Sequence, residues 1–246
     1  MANVATTTAG CADPDPRASV PSLLELCPSC DTGWQRTSYA SRGRFLTLET
    51  MNQNHATLCG SPEWADHIQV NILPALVAGL DLGEQMLEIG PGPGAATDWL
   101  RTKVRRLVAL EVDGDAAEAL SKRLAGTNVE IVSGDAAALE YADDSFDSVA
   151  CFTMLHHVPT VSLQNRLLAE GLRVLRPGGV LIGADSLASD RLHHFHIEDT
   201  YNPVEVGSFV PRLQTLGFEK ITLVVDGMMS FIAHKPGGQG RETSCN

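Results

Sequence analysis

The chain has 246 residues, 43% of them hydrophobic, which is enough to bury the core of one large domain. Its 30 acidic residues against 18 basic ones give a net charge of −12. A field of that sign repels a polyphosphate backbone and argues against nucleic acid as a general partner. No basic stretch followed by an apolar one opens the chain, and no apolar run reaches the length of a membrane span, so no membrane partner and a cytoplasmic location are expected. The six cysteines are scattered. Cys27-Pro-Ser-Cys30 is a lone CxxC with no second pair at zinc-finger spacing, and no metal site is assigned.

Residues 1–50 are rich in Ala, Thr, Ser and Pro, without sustained periodicity, and are read as a flexible extension. The folded domain is expected over 51–236, with a tail at 237–246. Ser61-Pro62-Glu63 offers an N-cap, a proline at the first helical position and an acidic first turn, and Pro74 should kink or divide the helix that follows. Strand-like apolar runs then appear at 85–89, 107–111, 129–132, 148–152 and 180–184. Helix-like segments lie between them, near 95–102, 115–124 and 163–175. This alternation predicts right-handed βαβ units in an α/β fold, a doubly wound parallel sheet covered on both faces. A polar stretch at 185–203 carries His193, His194 and His196, with a helix expected at 204–216. Two strands at 218–225 and 228–234 are separated only by Asp226-Gly227, a strong hairpin signal. An antiparallel ending of this kind is not standard for a dinucleotide-binding sheet.

The loop Glu88-Ile89-Gly90-Pro91-Gly92-Pro93-Gly94 follows one predicted strand and opens a helix. Glycines let backbone approach a ligand without a Cβ collision, and the helix N-terminus adds unpaired N–H groups. Gly90, Gly92 and Ala95 also satisfy the G-x-G-x-x-G/A dinucleotide fingerprint, so the loop alone does not choose its cofactor, and a tight turn without ligand fits it too. Glu111 closes the second strand, where a carboxylate accepts from both ribose hydroxyls. Asp135, at the end of the third strand, suits either an adenine amino group or an ordinary turn. The fourth strand runs into Cys151-Phe152-Thr153-Met154-Leu155-His156-His157. Leu175-Arg176-Pro177-Gly178-Gly179 reads as a tight turn before the fifth.

Taken in order, LEIGPGPG, LVALEVD, VEIVSGDA, FDSVACFTMLHHV and LRVLRPGGVLIGADS resemble the class I S-adenosylmethionine-dependent methyltransferases over about residues 51–234. Among these the chain is similar to small-molecule enzymes of actinobacterial type. The MNQNH run at 51–55 and Tyr201-Asn202-Pro203 add to that likeness. The resemblance implies a Rossmann-like sheet of seven strands, mostly parallel with an antiparallel C-terminal hairpin, and S-adenosylmethionine as cofactor. It implies that Glu88 contacts the amino-acid end of the cofactor, that Gly90, Gly92 and Gly94 allow backbone approach, and that Glu111 binds the ribose. Asp135 and Ala136 would bind adenine, and Phe152 would line the site. The implied reaction is in-line methyl transfer to a small-molecule substrate. The alternatives are an NAD-dependent oxidoreductase and a catalytically silent binding protein on the same fold.

A hydroxyl or amine acceptor benefits from a general base, and histidine suits neutral pH. His156, just past the carboxyl edge of strand four, is the candidate catalytic residue; a capping or packing role is the alternative, and His157 is read as structural. His194, His196 and Glu198 would share one side if their segment were strand-like, a weak metal pattern beside the readings of substrate contact and of a solvated polar loop. His55 and Asn52 are placed over the cofactor by resemblance alone.

Overall fold

The computed structural model describes residues 57–237. The extension, most of the tail, the Cys27–Cys30 pair, His55 and Asn52 lie outside the described residues.

Seven strands form one sheet: β1 (Gln85–Ile89), β2 (Arg106–Glu111), β3 (Val129–Ser133), β4 (Phe146–Phe152), β5 (Leu175–Ser186), β6 (Glu219–Asp226) and β7 (Met228–His234). Their spatial order is β3-β2-β1-β4-β5-β7-β6. The first five strands are mutually parallel, and β7 is antiparallel to both β5 and β6. This is the Rossmann-like α/β sheet with a closing hairpin that the sequence predicts. The hairpin is tighter than expected: Asp226 pairs with Met228 across Gly227 alone, which sits at φ +67.

Among the described residues the helices are α1 (Pro62–Asp66), α2 (Leu73–Leu76), α3 (Thr97–Leu100), α4 (Gly114–Arg123), α5 (Val161–Val174), α6 (Asp190–Phe195) and α7 (Val206–Leu216). A π-helical turn, His67–Ile72, separates α1 from α2. Pro74 has no N–H for the carbonyl four residues back, and the wider turn before it relieves the clash. The one-turn α3 is shorter than the helix expected over 95–102, because Gly92–Ala96 turn before they wind. The Pro-Gly-Gly segment does not separate helix from strand as a turn. Leu175 already pairs with Phe146, and the register breaks before Val180 resumes it against Ser148, so the segment is an irregularity within β5.

Successive residues of the central strands face opposite layers. Leu87, Val108, Val149 and Cys151 pack with Leu167, Leu168, Phe209 and Leu213. Met86, Leu107, Ala150 and Phe152 pack with Ile68, Leu73 and Leu100. Burial on both faces explains why these strands read as continuous apolar runs. Asp147 fastens one end of the sheet, its Oδ2 accepting from the amides of Glu84 and Gln85 at 2.9 Å each while Oδ1 meets Arg176.

Candidate active site

The strand order reverses between β1 and β4, and in such sheets a crevice opens at the carboxyl ends of the strands there. A cavity of about 920 Å³ occupies that place. Glu88, Gly90, Gly92, Glu111, Asp135, Ala136 and Phe152 all line it, brought together from the ends of β1, β2, β3 and β4.

Glu111 is almost fully buried, and its carboxylate is held by backbone. Oε2 accepts from Gly92 N at 3.0 Å, and Oε1 accepts from Val112 N at 2.9 Å and Asp113 N at 3.1 Å. The side chain thereby ties the glycine loop to the start of α4, whose N-cap is Asp113. Gly92 itself sits at φ +52, and a Cβ there would meet no protein atom within 4 Å. It is bare because of its backbone conformation, with open cavity beside it. Gly94 does different work. A Cβ there would come 2.3 Å from Arg123 Nη2 and 2.7 Å from Leu120 Cδ1, so this glycine lets the loop pack against α4 and is absent from the cavity wall.

Glu88 is buried, and its Oε2 has no hydrogen-bond partner. Burial pushes its carboxyl up to about 7, opposed by the neighbouring Thr97 hydroxyl and reinforced by the charges of Asp98 and Glu111. An orphaned buried acceptor lining a cavity is satisfied by a donor or cation from a ligand. Asp135 is exposed on the opposite rim, and its Oδ1 closes a local turn by accepting from Ala137 N at 2.8 Å.

Past β4 the backbone is strained. Thr153 adopts φ +50, a left-handed conformation that a β-branched residue rarely takes, and its N–H donates to Ala184 O at 2.7 Å. The strain turns the chain into a 3₁₀ turn, Leu155–His157. His156 is 3% exposed and is not part of the cavity wall. Its Nδ1 lies 2.5 Å from Oδ1 of Asp185, a fully buried residue at the end of β5. The amides of Leu155 and Ser186 donate to the same carboxylate. His157, read from sequence as structural, is the histidine that lines the cavity, with its Nδ1 3.9 Å from Asp199 Oδ1.

The segment after β5 holds a helix that the sequence reading missed. Ser189 caps α6 by accepting from Leu192 N, a signal present in Ser189-Asp190 but obscured by the polar surroundings. Helical geometry overturns the strand-like grouping of His194, His196 and Glu198. His194 is exposed on α6 with its Nδ1 on Asp190 O, whereas His196 turns inward, its ring centroid 5.1 Å from that of His156 and 5.3 Å from that of His157. Burial lowers the His196 imidazole below its ordinary pKa, the Leu192 carbonyl opposes this, and His156 adds to the lowering. Tyr201 stacks on the His196 ring at 4.6 Å.

Gln164, wholly buried on α5, secures this side. Its Nε2 donates to Leu155 O and Asn202 O, and its Oε1 accepts from Arg212. Asn202 N donates in turn to His156 O at 2.7 Å. The Tyr201-Asn202-Pro203 stretch is thus pinned to the histidine turn. Cys59 also lines the cavity, and burial with the charge of Asp199 pushes its thiol up to about 11, so it stays protonated at neutral pH.

Residues 87–183 match the family described as a methyltransferase domain. The chain is 36% identical over 101 residues to a demethylmenaquinone methyltransferase of Clavibacter sepedonicus, covering 41% of this chain and 40% of that one. It is 31% identical over 144 residues to a probable S-adenosylmethionine-dependent methyltransferase of Mycolicibacterium smegmatis, covering 56% and 52%. The chain spans about half or less of the length of the curated relatives it matches. Phosphoethanolamine N-methyltransferase 2 of Haemonchus contortus, solved with S-adenosyl-L-methionine, shares the fold at a TM-score of 0.59 and 15% identity, covering 71% of this chain and 56% of that one. By that domain match and those relatives, residues 87–183 are similar to methyltransferase domains, carried on a Rossmann-like sheet that the solved structure shares.

Proposed function

We propose that this protein binds S-adenosylmethionine in the β1–β4 crevice and transfers its methyl group to a small-molecule acceptor. The observation that carries the reading is the Glu111 carboxylate, at the end of β2, lying in the cavity wall and fixed to the Gly92 amide. It stands where a ribose presents two hydroxyls, and the orphaned Glu88 Oε2 stands where a cofactor ammonium needs a partner. These residues fit the cofactor. Asp135 and Ala136 then frame the adenine edge, Phe152 closes the wall and Gly90 and Gly92 leave room for the amino-acid end, while Gly94 acts by packing.

The bound cofactor supplies a methyl group already activated on a sulfonium. The protein has to bring the acceptor atom into line and exclude water; positioning of this kind contributes roughly 7–11 kcal/mol in favourable intramolecular models. His156 is the candidate base for a hydroxyl or amine acceptor, with Asp185 fixing its tautomer. Its ring lies behind the cavity wall, beside the wall residue His157 at a centroid distance of 4.1 Å. The expected cytoplasmic location belongs to this reading as well; no described helix is long and apolar enough to cross a membrane.

Calorimetric titration with S-adenosylmethionine, S-adenosylhomocysteine and NAD tests the proposal. Binding of both sulfur compounds and not of NAD is expected. Binding of NAD alone would return the chain to the oxidoreductase reading. Cofactor binding without turnover on any compound of a metabolite library would favour the silent protein.

A further inference from the structure

Three imidazoles from two distant stretches of sequence meet beside the cavity. One ring nitrogen from each of His156, His157 and His196 lies within 4.8 Å of the other two. Two of these rings are oriented from behind, His156 Nδ1 by Asp185 Oδ1 at 2.5 Å and His196 Nδ1 by the Leu192 carbonyl at 2.7 Å. An Nδ1–H held by a carboxylate or a carbonyl fixes the tautomer that presents a lone pair at Nε2. That outer layer is what metal-ligating histidines carry. Asp185 is itself held by the amides of Leu155 and Ser186, which fixes the orientation of the ring bonded to it.

We propose that His156, His157 and His196 bind a divalent first-row transition metal ion, Zn²⁺ first among them, with an open coordination position toward the cavity. Three nitrogen ligands and an open place are the donor set of a catalytic rather than a structural zinc site. With Zn–N bonds of about 2.0–2.1 Å, tetrahedral ligand atoms stand about 3.4 Å apart, so the rings draw in by roughly 1 Å on binding. Asp185 and Asp199 place negative charge behind the rings, which offsets the cation. His157, Pro159, Asp199 and Thr200 line the same cavity as the residues expected to hold the cofactor. The open position therefore suits an oxygen of the acceptor, such as a hydroxyl beside a carbonyl or a second hydroxyl. With the ion bound, His156 serves as a ligand in place of its role as base, and a metal-bound hydroxyl loses its proton to water at lower pH and is ready for methylation. The metal's chemistry rests on the methyl-transfer reading; its binding does not.

The purified full-length protein, stripped with a chelator and dialysed, is titrated with Zn²⁺ by calorimetry and with Co²⁺ by visible absorption. One tight site per chain is expected, with the Co²⁺ spectrum of a four-coordinate ion. His196→Ala should weaken Zn²⁺ at least ~100-fold and Asp185→Asn about 10- to 100-fold. The exposed His194→Ala and the paired Cys27→Ser/Cys30→Ser change should leave affinity intact. His157→Gln, at the more exposed ligand, repeats the test should His196→Ala fail to fold. Absence of stoichiometric binding, or binding that survives the histidine changes and disappears with the cysteines, overturns the proposal. S-adenosylmethionine is titrated into the same samples. Cofactor binding without Zn²⁺ binding removes the metal and leaves the methyltransferase reading, and the converse removes that reading and leaves the site.

Discussion

The two sides of the cavity are built differently. On the glycine-loop side the residues sit at or just past strand ends, and two are held largely by backbone close in sequence: Glu111 accepts from Val112 and Asp113, and Asp135 from Ala137. On the histidine side the main supports come from distant segments. His156 depends on Asp185, 29 residues away, and the turn depends on Gln164, Asn202 and Arg212. The first arrangement is supplied by the strand–loop–helix units themselves. The second is a set of tertiary contacts that forms only once distant segments have packed together.

The difference can be probed from either side. The largest expected effect concerns Glu88. An acid whose folded pKa is raised from 4.5 to about 7 makes its full contribution to stability below pH 4.5 and loses it as pH rises through 7. The cofactor-free protein should lose on the order of 3 kcal/mol across that window. Glu88→Gln should flatten the loss in urea titrations at pH 4.5 and pH 8; a wild-type curve already flat would show that Glu88 is not held neutral.

Glu111→Ala should weaken S-adenosylmethionine by about 2–3 kcal/mol, since a charged acceptor for three amides and two hydroxyls disappears. Unchanged affinity in the calorimeter would remove Glu111 from the ribose site. Gln164→Ala gives the opposite signature. It strands Leu155 O, Asn202 O and Arg212, and should cost about 2 kcal/mol of stability and reduce turnover, with cofactor affinity retained. If cofactor binding falls along with turnover, the two sides are coupled rather than separable. The smallest effect is a gain. Thr153→Gly relieves a β-branched residue at φ +50 and should add roughly 0.5–1 kcal/mol, visible as a raised Tm. Lower turnover in that stabilised variant would mean the strain aims the histidine turn.

The five motifs were legible because strand–loop–helix units write their chemistry locally: glycines where backbone must approach, an acid at a strand end, a hairpin dipeptide near the close. Sequence therefore determined the seven-stranded fold, the order of the motifs and the wall residues Glu88, Glu111, Asp135, Ala136 and Phe152. It did not assign Gly94 to packing against Arg123 and Leu120, which are on another helix. Nor did it separate the two adjacent histidines, because which ring faces the cavity is set by the φ of Thr153 and the reach of Asp185. Least visible was His196. A local pattern pairs it with His194 and Glu198, but the cap at Ser189 winds the segment into α6 and turns His196 toward His156 and His157. Periodicity fixes what lies along a chain, whereas only tertiary packing decides which side chains from distant segments come within reach of one another.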